Sequence, residues 1–256
     1  MRFIKVLQKD LLEEKRSWMI YGITIVAIIA GIELLDAVLV KHGVFSNTEP
    51  VYVQFFYWFL FLGGAISTST TFEDMFNRTK QHNFLMLPAS VFEKFFSRAL
   101  ISTVLYPVAL LALMSLLSLI LEPLFFLLFG SPIVLFNPFA SHIIRYMPLY
   151  FVVSSLFFFG STYFKKTHFI KTVFSSWLVI FSLGFFAILF ARILIATPFA
   201  QMDAFYIRVS YIESNFILPK AYEIIGKIFF YVIVPLFLFY VSYLRIEEVQ
   251  STDAIQ

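Results

Sequence analysis

Long apolar stretches without charge alternate along this chain with short charged segments. No Asp, Glu, Lys or Arg occurs in 17–32, 50–72, 99–121, 146–164, 172–191 or 228–244. An α-helix rising about 1.5 Å per residue needs about 20 residues to cross roughly 30 Å of hydrocarbon. The first run stays apolar to Val40, interrupted only by Glu33 and Asp36, and Ile224 to Gly226 extend the last one beyond Lys227. The pattern predicts six spanning helices, at about 18–40, 51–72, 99–121, 145–164, 172–197 and 224–244. These runs are continuously apolar rather than alternating over about ten residues, which disfavours a transmembrane barrel. The expected fold class is all-α, a polytopic membrane protein with one transmembrane domain over residues 1–256.

Three segments outside the spans have patterns of their own. Phe3, Ile4, Leu7, Leu11 and Leu12 recur at three- and four-residue spacing, while Lys5, Lys9, Asp10, Glu13 and Glu14 mostly face elsewhere. Residues 1–17 are therefore expected as an amphipathic helix lying on the inner membrane surface, with a plain charged tail as the alternative. The acidic residues and the long apolar run that follows argue against a cleaved leader. Residues 123–136 are apolar but short, and Gly130 and Pro132 break them, so they suit an interfacial or re-entrant piece better than a seventh span. Residues 198–223 mix aromatics with Asp203, Arg208 and Glu213. They read as an outer loop, or as short helices dipping into the outer leaflet. Within the spans, Pro107, Pro148 and Pro235 each remove a backbone hydrogen bond and can kink a helix.

Composition narrows the function classes. The chain is 60% hydrophobic and 14% charged, against about 25% charged in ordinary soluble domains. Nineteen basic and 16 acidic residues cannot coat a soluble protein of 256 residues. A soluble enzyme and a disordered chain are disfavoured, and a net charge of +3 is too small for a nucleic-acid footprint. The absence of Cys excludes disulfides, thiolate metal sites and Cys nucleophiles. With the N-terminus in the cytoplasm, 13 of the 19 basic residues fall on inner segments and six on outer ones, which places both termini inside.

Enzyme motifs are missing. No phosphate-binding G-x-x-x-x-G-K-S/T occurs, and His42, His82, His142 and His168 are scattered with no H-E-x-x-H. Ionisable groups near lipid are functional flags. Glu33 and Asp36 share one face of the first span, and Arg192 lies 20 residues into the fifth, at the same outer level as Glu122, Arg145 and Lys227. Two readings stay open for Glu33, Asp36 and Arg192: snorkelling with interhelical pairing, or a charged outer gate. No acid falls near mid-membrane, which disfavours a proton relay.

The first inner loop, 73–98, is long for a connection between two spans. Pro88 steers Leu87 away from helix, and Ser90 with Glu93 three residues later forms a capping box for a helix through Val91, Phe92, Phe95 and Phe96. At this loop the stretch Leu85-Met86-Leu87-Pro88-Ala89-Ser90, with Glu93-Lys94-Phe95 and Arg98, resembles the first cytoplasmic loop of bacterial type-2 ABC transporter permeases. The motif covers about 30 residues, while the plan of an N-terminal amphipathic helix and six spans covers the whole chain.

The resemblance implies a fold and a role. Permeases of this family lack their own ATPase, pair as two six-span subunits and bind two copies of a separate ABC ATPase from the cytoplasm. The loop between their second and third spans holds the coupling helix. Carried onto this sequence, the contact falls near Thr79 to Phe95, at Phe84, Leu85, Pro88, Ser90 and Glu93. The chain would then be the membrane subunit of an ATP-driven exporter in the bacterial inner membrane, working by alternating access. It would not itself be an enzyme and would hold no cofactor, with ATP and Mg on the partner ATPase. Its other partners would be membrane lipids and a second permease subunit, identical or paralogous, and no nucleic acid. The family pairs through its first and fifth spans, and Ala27-x-x-x-Gly31 offers small residues for close approach in the first. The motif does not specify whether the cargo is a drug, peptide, lipid or polysaccharide. Two other classes are an ion-coupled secondary transporter and an intramembrane enzyme or scaffold. The first would call for internal repeats and midplane polar sites, the second for a catalytic pair at membrane depth, and neither is visible.

Overall fold

The computed structural model describes residues 2–41, 51–76, 89–130, 133–165, 167–195 and 220–253, and among these every regular element is helical. Helix α1 spans Arg2–Lys41. Helices α2 (Val51–Trp58) and α3 (Gly64–Thr70) are joined by a π-helical turn, Phe59–Gly63, and α4 is the short helix Glu73–Phe76. Helix α5 (Val91–Leu100) passes through a second π turn, Ile101–Leu105, into α6 (Tyr106–Phe129). Then come α7 (Ser141–Tyr163), α8 (His168–Ile195), and α9 (Lys220–Ile228), which a third π turn, Phe229–Ile233, joins to α10 (Val234–Asp253).

Five helical stretches among the described residues are long and apolar enough to cross a membrane: Phe3–Leu35, Val91–Phe129, Ser141–Tyr163, His168–Phe190 and Glu223–Val249. The chain is a multi-pass, all-α membrane protein. The helix over 51–70, expected as the second span, is not one of the five. Gln54, Tyr52, Tyr57, Trp58, the Gly63-Gly64 pair and the run Ser67–Thr70 dilute its apolarity. One side of this helix faces protein, with Tyr52, Phe56, Leu60, Thr68 and Ser69 fully enclosed, while Trp58, Leu62 and Ile66 on the other side are exposed. Thr68 and Ser69 donate their hydroxyl protons to the carbonyls of Gly64 and Ala65, both at 2.7 Å, so their polarity is satisfied inside the helix.

The N-terminus departs from expectation. Residues 1–17 are not a separate surface helix; residues 2–41 form one unbroken helix. No proline interrupts the passage from the charged segment to the apolar one, and Lys9–Glu13 and Glu14–Trp18 bridge successive turns at four-residue spacing. The enclosed line is not the expected one either. Ile4 and Leu12 are exposed, while Val6 and Asp10 are buried. Helix α1 runs parallel to the helix over 91–129. The Phe3 ring lies 5.7 Å from that of Phe96, Ser97 bonds Asp10, Trp18 meets Tyr106 edge-on, and Ile25 and Ile29 join Leu110, Met114 and Leu117 in the main core.

The π turns have identifiable causes. Two of them end two residues before a proline, Pro107 and Pro235. A proline ring presses on the carbonyl four residues back, and the preceding turn widens to relieve it. Tyrosine hydroxyls meet carbonyls within these turns: Tyr106 donates to Phe59 O at 2.8 Å and Tyr150 to Ser102 O at 2.7 Å. Gly63 and Gly64 leave the space these rings occupy, since a Cβ on either would overlap Tyr106 or Tyr150.

Helix α6 continues past the expected boundary at Leu121, through Pro123 to Phe129, and Gly130 closes it in the left-handed region at φ 73°. The chain then turns back against the same helix. Val134 N–H donates to the Glu122 carboxylate at 3.0 Å and Phe136 N–H to the Ser118 hydroxyl at 3.3 Å. A second core at the opposite end joins Phe72, Met75, Phe95, Phe158 and Ile246, and the Phe158 ring is ringed by Phe72, Phe95 and Phe239 at 5.1–5.4 Å. Segment 198–219 of the expected outer loop lies outside the described residues.

Candidate functional site

Helix α5 begins as its sequence predicts. The Ser90 hydroxyl accepts from Glu93 N–H at 3.2 Å, and the Glu93 carboxylate accepts from Ser90 N–H at 2.9 Å. The reciprocal pair satisfies two donors that a helix start leaves open. Of the other expected coupling residues, Phe84, Leu85 and Pro88 lie outside the described residues.

The inward side of α5 mixes Phe95 and Ala99 with polar residues. Phe92 and Phe96 face outward, 58% and 43% exposed, and stack on each other at 5.7 Å. Lys94, Ser97 and Arg98, at spacings of three and four, face the protein and are all at least 95% buried. The inward polar face meets the buried line of α1. Ser97 donates to the Asp10 carboxylate at 2.6 Å, and Arg98 Nε lies 4.0 Å from the same carboxylate. Arg98 also donates to the carbonyl of Thr71, lies 3.6 Å from Asp74, and sits over the Phe72 ring at 5.3 Å. One guanidinium thus links α1, the turn before α4, and α5. Its planar fork suits such multiple, angled partners better than an ammonium would.

Beside this joint opens a cavity of about 410 Å³ between α1, α3, α4 and α5. Asp10, Glu13, Glu14, Glu73 and Asp74 line it together with Lys9 and Arg98. Trp18 and Tyr21 form an aromatic wall, and Ser17, Ser67, Thr70 and Thr71 add hydroxyls. The Trp18 indole N–H donates to Glu14 at 3.0 Å, and Lys9 pairs with Glu13 at 3.1 Å on the rim.

Glu33 is half-buried toward the C-terminal end of α1, and Arg192 is half-buried near the end of α8. Asp36 lies on α1, but its side chain is outside the described set. Among the described residues no group of three or more His, Asp or Glu side chains is placed to hold a metal ion.

Sequence reasoning noticed Arg98 only as part of a motif and put Asp10 on the solvent side. The signal that marks Arg98 is the spacing of Lys94, Ser97 and Arg98, a polar stripe on a helix that carries Phe92 and Phe96 on another face; Asp10 is found only by the tertiary contact. No family model matches the chain, and neither does any curated protein or solved structure.

Proposed function

We propose that the chain is the membrane-spanning subunit of an ATP-driven exporter of the type-2 ABC permease kind, as its loop motif implies. The observation that supports this reading best is the placement of Arg98. Residues 77–88 are flanked on one side by the turn at Thr71–Asp74 and on the other by the capped helix α5. Arg98 ties both flanks to each other and to Asp10 of α1. A push delivered at the capped end of α5 passes to α1, to the helix over 51–70 and to the helix over 91–129 together, instead of dissipating in the loop.

In this reading the helix over 51–70 is the sixth span, and both termini lie in the cytoplasm of a bacterial cell. Two copies of a separate ATPase dock at Phe84, Leu85, Pro88, Ser90 and Glu93, and they hold ATP and Mg. A second permease subunit, identical or paralogous, completes the transporter. This chain binds and moves cargo and performs no bond chemistry.

Co-purification tests the reading. The tagged chain, extracted in mild detergent, is expected to bring down an ATP-hydrolysing subunit. Removing the capping box with Ser90→Ala and Glu93→Ala costs about 1 kcal/mol of helix-start stability per cap and is expected to reduce the recovered ATPase several-fold. Purification without any ATPase, or full recovery with both changes, overturns it.

A further inference from the structure

Two of the π turns lie side by side. The turns Phe59–Gly63 and Ile101–Leu105 are joined by the Tyr106 hydroxyl, which donates to Phe59 O at 2.8 Å. The second turn strips one carbonyl of a donor from its own helix. Tyr106 N–H reaches back five residues to Ile101 O instead of four to Ser102 O. The next residue, Pro107, has no N–H to give. A side chain from another helix fills the place: the Tyr150 hydroxyl of α7 donates to Ser102 O at 2.7 Å. Tyr150 and Ser102 are both buried, where a carbonyl left open finds no water and is costly. Phe59 O is better supplied, because Gly64 N–H also reaches it across the first turn. The rings of Tyr106 and Tyr150 stack at 6.3 Å, in the space that Gly63 and Gly64 leave free.

From these turns two arms run toward the same end of the molecule, α3 with α4 and α5. Arg98 ties them into one body through the Thr71 carbonyl and Asp74. The body opposite is α7 with α8, whose close approach at Gly160 and Thr172 holds them together. A helix bends where its hydrogen-bond ladder is interrupted, and π turns and prolines are such places.

We infer that the paired π turns are a hinge and that the hydroxyls of Tyr150 and Tyr106 are its clasp. The arms α3–α4 and α5 swing together against α7 and α8, and Tyr150 holds them in the position seen. The inference stands on helix geometry and is independent of the permease reading.

Pulsed electron–electron resonance on the full-length chain in lipid nanodiscs tests it. The chain has no Cys, so spin labels go on Phe92→Cys of α5 and Ile170→Cys of α8, both exposed positions. One main distance is expected with both tyrosines in place. Tyr150→Phe keeps the ring and removes one oxygen. It is expected to raise a second population about tenfold, shifted by about 5 Å, the travel of an arm of about 15 Å turned through about 20°. Tyr106→Phe is expected to raise the same population only about threefold, since Phe59 O keeps its bond from Gly64. Pro107→Ala restores a backbone N–H, and in that background Tyr150→Phe is expected to return to one distance. An unchanged distance distribution in both tyrosine variants overturns the inference, even with a lowered unfolding midpoint, because the hydroxyls would then be structural bonds only. A second population that Pro107→Ala leaves in place also overturns it. Should Tyr150→Phe fail to fold, Tyr106→Phe decides, and an unchanged distribution there overturns the hinge.

Discussion

Arg98 and Asp10 are each about 95% buried, at a place where an isolated charge is costly. Removing one partner of a buried ion pair leaves the other uncompensated, a loss of about 3–5 kcal/mol. Arg98→Met is therefore expected to lower the thermal unfolding midpoint markedly in detergent. It strands Asp10 and, more mildly, the half-exposed Asp74. Adding Asp10→Asn to Arg98→Met should recover part of that loss, because the double variant buries one charge fewer. A double variant no more stable than Arg98→Met alone would show that the two side chains are not coupled. The capping box at Ser90 and Glu93 needs no such partner across the fold. Both residues lie within one turn of each other, which is why their roles could be read from four consecutive positions.

At the scale of elements, the apolar runs located the helices well but not their ends. Helix α1 runs through the expected boundary at residue 17, and α6 passes Pro123 to stop at Gly130. Charge density marks where lipid ends, whereas a helix ends where its backbone bonds end, and the two need not coincide. The prolines were recognisable as perturbations. That Pro107 and Pro235 widen turns while Pro148 sits inside an ordinary helix was not. Close helix approach is also a matter of packing: Gly160 of α7 faces Thr172 of α8, and a Cβ there would overlap the threonine side chain. Gly160→Ala is expected to destabilise the chain by about 1–3 kcal/mol through overpacking, read as a lower unfolding midpoint. Gly184→Ala on α8, where a Cβ meets open space, should not lower the midpoint and is expected to stabilise the helix by about 0.5–1 kcal/mol.

For the whole molecule, α7 sets a vertical scale. Its 23 residues separate the turn at Asn137 from Lys165, about 35 Å at the helical rise, enough to put them on opposite sides of a bilayer. The Cys-free sequence makes labelling clean. Asn137→Cys is expected to react with an impermeant maleimide in intact cells, and Lys165→Cys only after permeabilisation. The reverse pattern would invert the orientation inferred from the basic residues. Helix α8 and the first half of the last helical stretch, from Glu223 to Ile233, present exposed Phe, Ile, Leu and Trp side chains on nearly every face. That pattern belongs to helices solvated by hydrocarbon. The helix over 51–70 is two-sided: Tyr52, Phe56, Leu60, Thr68 and Ser69 are enclosed by its neighbours, while Trp58, Leu62 and Ile66 are exposed.

These contrasts separate local from non-local information. Helical class, membrane residence and the capped start of α5 follow from composition and short spacings. Hydrocarbon leaves the backbone no partner but itself, so long apolar runs become helices whatever they pack against. The joint and the cavity follow from pairings between distant parts of the chain: Asp10 with Ser97, 87 residues apart, and Tyr106 with the Phe59 carbonyl, 47 apart. Such pairings depend on how neighbouring helices slide and rotate against one another. That choice rests on the summed fit of many side chains, and no single stretch of the chain records it.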